Sequence, residues 1–279
     1  MAYPNHAKFT NDHPKVFLNF NQVFKDVKVL GSGNFGETHL IEDVISKKKY
    51  VLKILKKYTD INDYYREVIS LINLSKSPHC GPDIVCYYNH FIYNDNYCIL
   101  TEFIKGVNLA TFDESEQLSV PDIVRTGLWL LKVIGKLHKQ GFAHNDINPS
   151  NIMVTKNLKL KLIDFGLTCF TKTTNRYVKC SKNRLINVNY ASSEQINGKY
   201  FTNVNKYSQT SDIYAIGLIL YHLLTDQQPY DLDKNGNIIS KYHNVSDTCI
   251  NIALKNMLLI NPDIRATADE AYLLLKECV

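Results

Sequence analysis

The segment His144–Asn151 carries the residues whose types and spacing best fit a chemical role. Asp146 and Asn151 stand five residues apart in a loop that leaves a helical pattern at Gly141. A carboxylate in such a loop can accept the proton of a hydroxyl group, and an amide oxygen close by can bind Mg²⁺. The segment therefore predicts Asp146 as a catalytic residue and Asn151 as a metal ligand.

A second candidate metal ligand, Asp164, follows the β-like run Lys159–Ile163 and is followed by Phe165 and Gly166. A carboxylate at the end of a strand, with glycine two residues later, is well placed to bind a metal ion. Taken alone, this tripeptide is also compatible with a plain turn. Its position after the Asp146 loop is what makes it a candidate.

A glycine-rich run, Gly31-Ser32-Gly33-Asn34-Phe35-Gly36, lies near the start of the chain. Glycines in a hairpin let backbone N–H groups approach phosphates, because no Cβ atom stands in the way. β-like residues follow the run, whereas a dinucleotide-binding site needs a helix there. An ordinary glycine-containing hairpin turn is the plain alternative.

Lys53 lies in the apolar β-like run Val51–Ile54, 17 residues beyond Gly36. A lysine in such a strand is costly unless its charge is paired. Glu67, on the inner face of the next helical pattern and one turn before Leu71, is the candidate partner. An ion pair between the two side chains would direct the ammonium group to the α- and β-phosphates of a nucleotide.

The elements that must position these residues change character near residue 104. Before it, a helical pattern at 61–75 interrupts β-like runs, which span 27–30, 38–42, 50–55, 84–91 and 97–103. After it the chain is mostly helical, with a long amphipathic segment Asp122–Lys139 and a second at 212–224. The pattern predicts an α+β fold of two lobes, the first small and β-rich and the second larger and α-helical.

The order of glycine run, strand lysine, helix glutamate, Asp146 loop and Asp-Phe-Gly resembles the eukaryotic-type protein kinase family over roughly residues 24–275. The resemblance implies an N-terminal extension at 1–23 and a bilobal protein-kinase-like domain at 24–279. Its N-lobe would span about 24–103 and its C-lobe about 105–279.

Further residue roles come from this resemblance alone. Thr101 stands at the gatekeeper position, and the helix of Asp212–Gly217 would anchor the catalytic loop. Glu194 and Arg265 would form the ion pair that steadies the activation segment. The catalytic set is Asp146, Lys53 and Glu67, and the metal ligands are Asn151 and Asp164. The implied nucleotide-binding residues are Leu30, Gly31, Ser32, Gly33, Asn34, Phe35, Gly36, Glu37, Thr38, Lys53, Glu102 and Ile104.

Two departures from the family pattern affect the Asp146 loop. Asn145 replaces the arginine that precedes the catalytic aspartate, so a phosphate on the activation loop lacks its usual anchor. We therefore expect activity that does not depend on activation-loop phosphorylation. Asn148 replaces the lysine that serine/threonine kinases carry, so one stabiliser of transition-state charge is missing. Turnover is expected to be slow unless a basic residue elsewhere substitutes.

The resemblance implies a divergent serine/threonine protein kinase. It would use ATP with Mg²⁺ or Mn²⁺ and act on a protein substrate with a serine or threonine acceptor. Two alternatives stay open. Small-molecule kinases of the choline and aminoglycoside type also use His-x-Asp without the lysine. A pseudokinase would keep the fold as a binding module, although Lys53, Asp146, Asn151 and Asp164 are all present.

The composition of the 279-residue chain, which is 45% hydrophobic, narrows the class of protein further. A net charge of +5 without long runs of one sign gives no reason to expect a nucleic-acid partner. No secretory signal and no membrane span is visible in the sequence, so no membrane partner is expected. The seven cysteines lack a Cys-x-x-Cys pair. We therefore expect reduced thiols and a soluble, intracellular and most simply cytoplasmic protein.

Overall fold

The computed structural model describes residues 14–33, 36–56, 61–75, 80–172, 180, 187–196, 204–231 and 238–279. The chain divides into two compact units, Met1–Lys105 and Gly106–Val279. In the described residues no helix is long and apolar enough to cross a membrane.

The first unit is built on a five-stranded antiparallel sheet with the strand order β1-β2-β3-β5-β4. Its strands are β1 Phe24–Ser32, β2 Gly36–Asp43, β3 Lys49–Leu55, β4 Tyr87–Tyr93 and β5 Asn96–Glu102. Two helices accompany them, α1 Phe20–Val23 and α2 Ile61–Leu74. Strand β4 begins three residues later than the β-like run predicted at 84–91.

The alternation of side chains along β3 places the core of the first unit on one face of the sheet and Lys53 on the other. Tyr50 and Leu52 point into a cluster of buried aromatic and aliphatic side chains. Lys53, of opposite parity, lies on the other face, because successive strand residues point to opposite sides. Phe20 of α1 belongs to the same cluster as Tyr50, so the residues just before β1 are packed against the sheet.

Helix α2 buries one stripe of side chains, which includes Tyr64, Glu67, Val68 and Leu71. These positions repeat at intervals of three and four residues, which is the spacing that keeps side chains on one face of a helix. Glu67 therefore faces inward because it stands on the apolar stripe.

The second unit is mainly helical. Its helices are α3 Leu109–Ser115, α4 Val120–Lys139, α5 Ser193–Ile196, α6 Val204–Thr225, α7 Thr248–Met257 and α8 Ala268–Lys276. Its short strands are β6 Gly106–Asn108, β7 Phe142–Ala143, β8 Ile152–Thr155, β9 Leu160–Leu162 and β10 Cys169–Phe170. They form a three-stranded sheet of order β6-β8-β9 and a pair of order β10-β7.

Helix α4 has clear sequence signals at both ends. Ser119 caps its start by accepting a hydrogen bond from the Asp122 N–H group, and Pro121 stands in its first turn. Gly141 follows its end with a φ of +85°. A Cβ atom at that position would lie 2.5 Å from the Phe170 ring, so both the backbone angle and the packing require glycine. The helix end predicted at Gly141 is confirmed.

Six of the seven cysteines are paired in the structure, which overturns the expectation of reduced thiols. The disulfide pairs are Cys80–Cys86, Cys169–Cys180 and Cys249–Cys278, with Cα–Cα distances of 5.2, 4.9 and 5.6 Å. Cys98 is buried and free. The sequence did not predict these disulfides, because the fold brings the cysteines of each pair together and their spacing follows no motif.

The predicted α+β class is confirmed, with β-rich structure first and helical structure second. The predicted helix at 61–75 corresponds to α2. The amphipathic pattern at 122–139 corresponds to most of α4.

Candidate active site

The loop that carries Asp146 is held by a buried aspartate on α6. Asp212 accepts hydrogen bonds from the backbone N–H groups of His144, at 2.8 Å, and Asn145, at 2.7 Å. The His138 imidazole lies 2.9 Å from the same carboxylate. Because Asp212 is almost fully buried, these bonds fix the loop to the helix core. The predicted anchor helix is thus present.

The Asp146 carboxylate lies between two amide side chains of its own loop. Asn148 Nδ2 donates to Asp146 Oδ1 at 3.0 Å, and Asn151 Nδ2 donates to Asp146 Oδ2 at 2.9 Å. Both amides also donate to the Asp146 backbone oxygen, at 3.2 and 2.9 Å. The orientation of the carboxylate is therefore set by two donors, one on each oxygen.

A β-hairpin brings Asn151 and Asp164 to the same end of two paired strands. Ile152 of β8 pairs with Leu162 of β9, and the Ile163 N–H group donates to the Asn151 backbone oxygen at 2.9 Å. The two predicted metal ligands each stand one or two residues beyond this pairing. The structure therefore brings together Asp146, Asn151 and Asp164.

The backbone at Asp164 has a φ of +59°, which is uncommon for a residue other than glycine. The Gly166 N–H group donates to Asp164 Oδ1 at 3.1 Å and holds the carboxylate in this conformation. Strained backbone of this kind concentrates at functional sites. The contact between Gly166 and Asp164 is an Asx turn, so the metal-binding role of Asp164 stays a prediction.

Phe165 and His144 join the Asp164 turn to the catalytic loop. Phe165 is fully buried, and its ring centroid lies 5.0 Å from that of His144. Burial lowers the pKa of the His144 imidazole, and the carboxylates of Asp212 and Asp164 only oppose this shift. The ring is therefore a neutral packing element at pH 7.

The oxygen donors at this site suit Mg²⁺. Asn151 and Asp164 supply an amide oxygen and a carboxylate, and Mg²⁺ prefers oxygen ligands and completes its shell with water and substrate phosphates. No cluster of three or more His, Cys, Asp or Glu side chains able to hold a metal exists among the described residues.

Asn145 occupies the place of the family's arginine and has a φ of +64°. Its side-chain nitrogen donates to the Ala143 oxygen at 3.3 Å and the Leu167 oxygen at 3.2 Å. It also lies 3.1 Å from Cys169 Sγ. The side chain is thus bound to neighbouring strands and loops, and it offers no cationic group to a phosphate.

Glu194 and Arg265 form the buried ion pair implied by the family resemblance. Arg265 Nη1 and Nη2 donate to the two carboxylate oxygens of Glu194 at 2.5 and 3.0 Å. Ser211 Oγ donates to Glu194 Oε1 at 3.0 Å. The pair therefore links α5 to α6 and to the segment before α8.

A small pocket lies beside Asp146, and sequence reasoning missed part of its lining. Gln195 and Tyr190 line it together with Asn187. Gln195 Oε1 accepts from the Ser192 N–H group at 3.0 Å, and its Nε2 lies 3.5 Å from the Asn145 backbone oxygen. The one signal for Gln195 was its position directly after Glu194.

In the first unit, Lys53 and Glu67 form the predicted ion pair. Lys53 Nζ lies 2.9 Å from both carboxylate oxygens of Glu67. Strand β3 presents Lys53 between Thr38 of β2 and Ile99 of β5. The ammonium group is therefore held at a fixed place on the sheet face.

The three glycines of the glycine run have different structural roles. Gly36 is required by packing, since a Cβ atom there would lie 2.1 Å from the Ile54 oxygen. Open space surrounds Gly31 and Gly33, and the Gly33 N–H group closes the turn on the Gly36 oxygen at 2.9 Å. A phosphate group could approach the backbone through this open space. Asn34 and Phe35 lie outside the described residues.

The remaining predicted nucleotide-binding residues are spread over the first unit. Leu30 and Ser32 are exposed on β1, and Glu37 contacts His39 at 3.3 Å. The Glu102 N–H group donates to the Cys86 oxygen at 2.9 Å. Ile104 is buried.

Comparison with known proteins identifies the family of this chain. The family model described as protein kinase domain matches residues 24–279. The chain belongs to the protein kinase domain family. The family expectation from the sequence is thereby confirmed, and with it the use of ATP and a divalent metal in general.

Curated relatives cover most of the kinase domain at modest identity. Calcium-dependent protein kinase 4 of Plasmodium berghei (strain Anka) is 28% identical over 90% of this chain and 49% of its own length. Serine/threonine-protein kinase cds1 of Schizosaccharomyces pombe is 28% identical over 90% and 57%. Serine/threonine-protein kinase PrkC of Bacillus subtilis is 27% identical over 87% and 34%. The chain thus spans between about a third and somewhat over half of these proteins.

Proposed function

We propose that this kinase domain transfers the γ-phosphate of ATP to serine or threonine hydroxyls of proteins. The observation that carries the proposal is the Asp146 carboxylate, fixed by two amide donors beside the paired strands that present Asn151 and Asp164. Relatives named as serine/threonine-protein kinases support the acceptor class. They do not favour the small-molecule kinase.

Asp146 is proposed to orient the acceptor hydroxyl and to accept its proton. An ionised carboxylate has about four acceptor positions, and the two amide donors occupy one on each oxygen. In this proposal the substrate hydroxyl adds a further donor to the same carboxylate. Because the carboxylate is already oriented, little reorganisation is required when the substrate binds.

Lys53 is proposed to contact the α- and β-phosphates of ATP while Glu67 holds its ammonium group. The open space around Gly31 and Gly33 would admit phosphate oxygens. Glu102 and Ile104 would present backbone groups to adenine. These roles rest on the family resemblance and on the contacts within the first unit.

Asn151 and Asp164 are proposed to hold Mg²⁺ through their side-chain oxygens, with Mn²⁺ as a substitute. When bound, the metal neutralises charge on the phosphate oxygens. Asn151 also holds Asp146, so one side chain would serve both the metal and the base. An intracellular, cytoplasmic location and the lack of a nucleic-acid partner stay predictions from the sequence.

The deciding experiment incubates the purified chain with labelled ATP, Mg²⁺ or Mn²⁺, and a generic protein acceptor. We expect labelled phosphoserine or phosphothreonine. Asp146→Asn should abolish transfer while ATP binding stays nearly intact, because the amide cannot accept the hydroxyl proton. Asp226→Asn is the matched control, since that side chain is 96% exposed.

Other outcomes would point to the alternatives. Label on choline or aminoglycosides with none on protein would indicate a small-molecule kinase. ATP binding without transfer to any acceptor would indicate a pseudokinase. Loss of ATP binding in Asp146→Asn would mean that the residue is structural.

A further inference from the structure

Asn148 is buried in the catalytic loop, and its side chain contacts neighbouring residues of that loop. Only 5% of the residue is exposed. Its Nδ2 donates to Asp146 Oδ1 at 3.0 Å and to the Asp146 backbone oxygen at 3.2 Å. Its Oδ1 accepts from the Ser150 N–H group at 3.0 Å and caps the 3₁₀ turn Pro149–Asn151. All of its polar atoms are therefore used inside the loop.

The two hydrogen bonds on Asp146 act as a clamp. Asn151 holds Oδ2 and Asn148 holds Oδ1, so rotation of the carboxylate about its own axis breaks both bonds. Without Asn148, one of these two hydrogen bonds would no longer oppose rotation of the carboxylate. A reacting group displaced by about 1 Å can lose a hundredfold in rate.

We propose that Asn148 is a positioning residue for Asp146 and sets the orientation of its carboxylate for the acceptor hydroxyl. The inference rests on the proposed function of Asp146. It assigns to a neutral amide the position where serine/threonine kinases carry lysine. In this proposal Asn148 is not a phosphate ligand, since its Nδ2 already donates to the carboxylate and to the backbone oxygen of Asp146.

This assignment separates the two effects that a change at Asn148 could have. A ligand that binds the phosphates of ATP equally in the ground state and in the transition state would alter the KM for ATP when removed. A positioning residue would alter kcat and leave the KM for ATP unchanged, because the nucleotide does not touch it.

The main variant is Asn148→Ser. Serine retains the cap on the Ser150 N–H group but is too short to reach the Asp146 carboxylate. We expect kcat to fall about 10- to 100-fold with an unchanged KM for ATP. Asn148→Asp also keeps the cap but places a second carboxylate against Asp146, so its kcat should fall further. Asn148→Lys restores an N–H donor and should recover activity relative to Asn148→Ser.

Asn261→Ser is the matched control for replacing a turn-capping asparagine by serine. Asn261 Oδ1 accepts from the Asp263 N–H group at 3.0 Å, the same two-residue spacing and distance as at Asn148, on an exposed loop. Its kcat should equal that of the unchanged chain. Thermal unfolding of every variant checks folding, and Asn148→Ser decides the question if Asn148→Asp does not fold.

Each result bears on the inference. A kcat for Asn148→Ser within twofold of the unchanged chain overturns the inference alone and leaves the proposed function standing. So does a change confined to the KM for ATP. Absence of transfer by the unchanged chain overturns the proposed function and the inference together.

Discussion

Two ion pairs, one in each unit, have similar chemistry but very different surroundings. Arg265 and Glu194 have side chains that are 0% and 1% exposed, whereas Lys53 and Glu67 are 19% and 7% exposed. The remaining N–H groups of Arg265 donate to the backbone oxygens of Leu259, Thr210 and Ile260. Lys53 keeps a partly open side chain on the sheet face.

The difference separates a pair that holds the fold from a pair placed for a ligand. A charge that is fully buried is tolerated only when its hydrogen bonds are satisfied, and Arg265 meets that condition through backbone oxygens. A lysine that must bind phosphate needs an accessible ammonium group and a partner that only orients it. We therefore expect stability to depend on the first pair and activity on the second.

The largest effect is expected for Arg265→Ala. Removing the guanidinium leaves Glu194 buried without its partner, which should lower the free energy of unfolding by about 3–5 kcal/mol. Urea unfolding followed by circular dichroism measures the change. Arg265→Lys should lose less, because it keeps the charge but not the two-pronged contact. A loss below about 1 kcal/mol for the alanine variant would contradict a structural role.

Lys53→Met should affect activity more than stability. The methionine keeps the apolar stem but removes the ammonium, and loss of one such stabiliser lowers transfer about 10²- to 10³-fold. The free energy of unfolding should fall by less than in Arg265→Ala, because the Lys53 site is partly open. Steady-state kinetics and urea unfolding on the same sample test both parts. Equal losses of stability in the two variants would remove the distinction between the pairs.

Lys139→Ala should have the smallest effect. Lys139 and Asp269 lie 3.0 Å apart, but their side chains are 69% and 66% exposed. Such pairs contribute about 0–1 kcal/mol because water and salt screen them. Urea unfolding at low and high salt should therefore give nearly the same midpoint as the unchanged chain. A loss above about 2 kcal/mol in the free energy of unfolding would show that the burial of an ion pair does not determine its contribution to stability.

The sequence predicted the parts of the site that depend on local pattern and family order. Asp146 and Asn151 lie five residues apart, and the cost of an unpaired lysine in an apolar strand pointed to Glu67 as the partner of Lys53. The Glu194–Arg265 pair spans 71 residues, so only the family pattern could predict it.

The remaining features depend on contacts that the spacing of residues in the sequence does not predict. The three disulfides join cysteines 6, 11 and 29 residues apart without a common motif. Asn148 looked like the loss of a useful lysine, and only its distances reveal two hydrogen bonds to Asp146. Gln195 reaches the catalytic loop from α5, where it stands next to the buried Glu194. Such contacts arise from side-chain directions in three dimensions.

The hairpin of β8 and β9 has an evolutionary consequence. Its pairing fixes where Asn151 and Asp164 stand, while the turn between the strands is closed by Leu158 N–H donating to the Thr155 oxygen at 2.9 Å. Related chains can therefore gain or lose residues in this turn without moving either ligand. A single insertion within β8 or β9 would reverse the side-chain alternation beyond it. Length variation in this family should accordingly collect at 156–158 and be absent from the two strands.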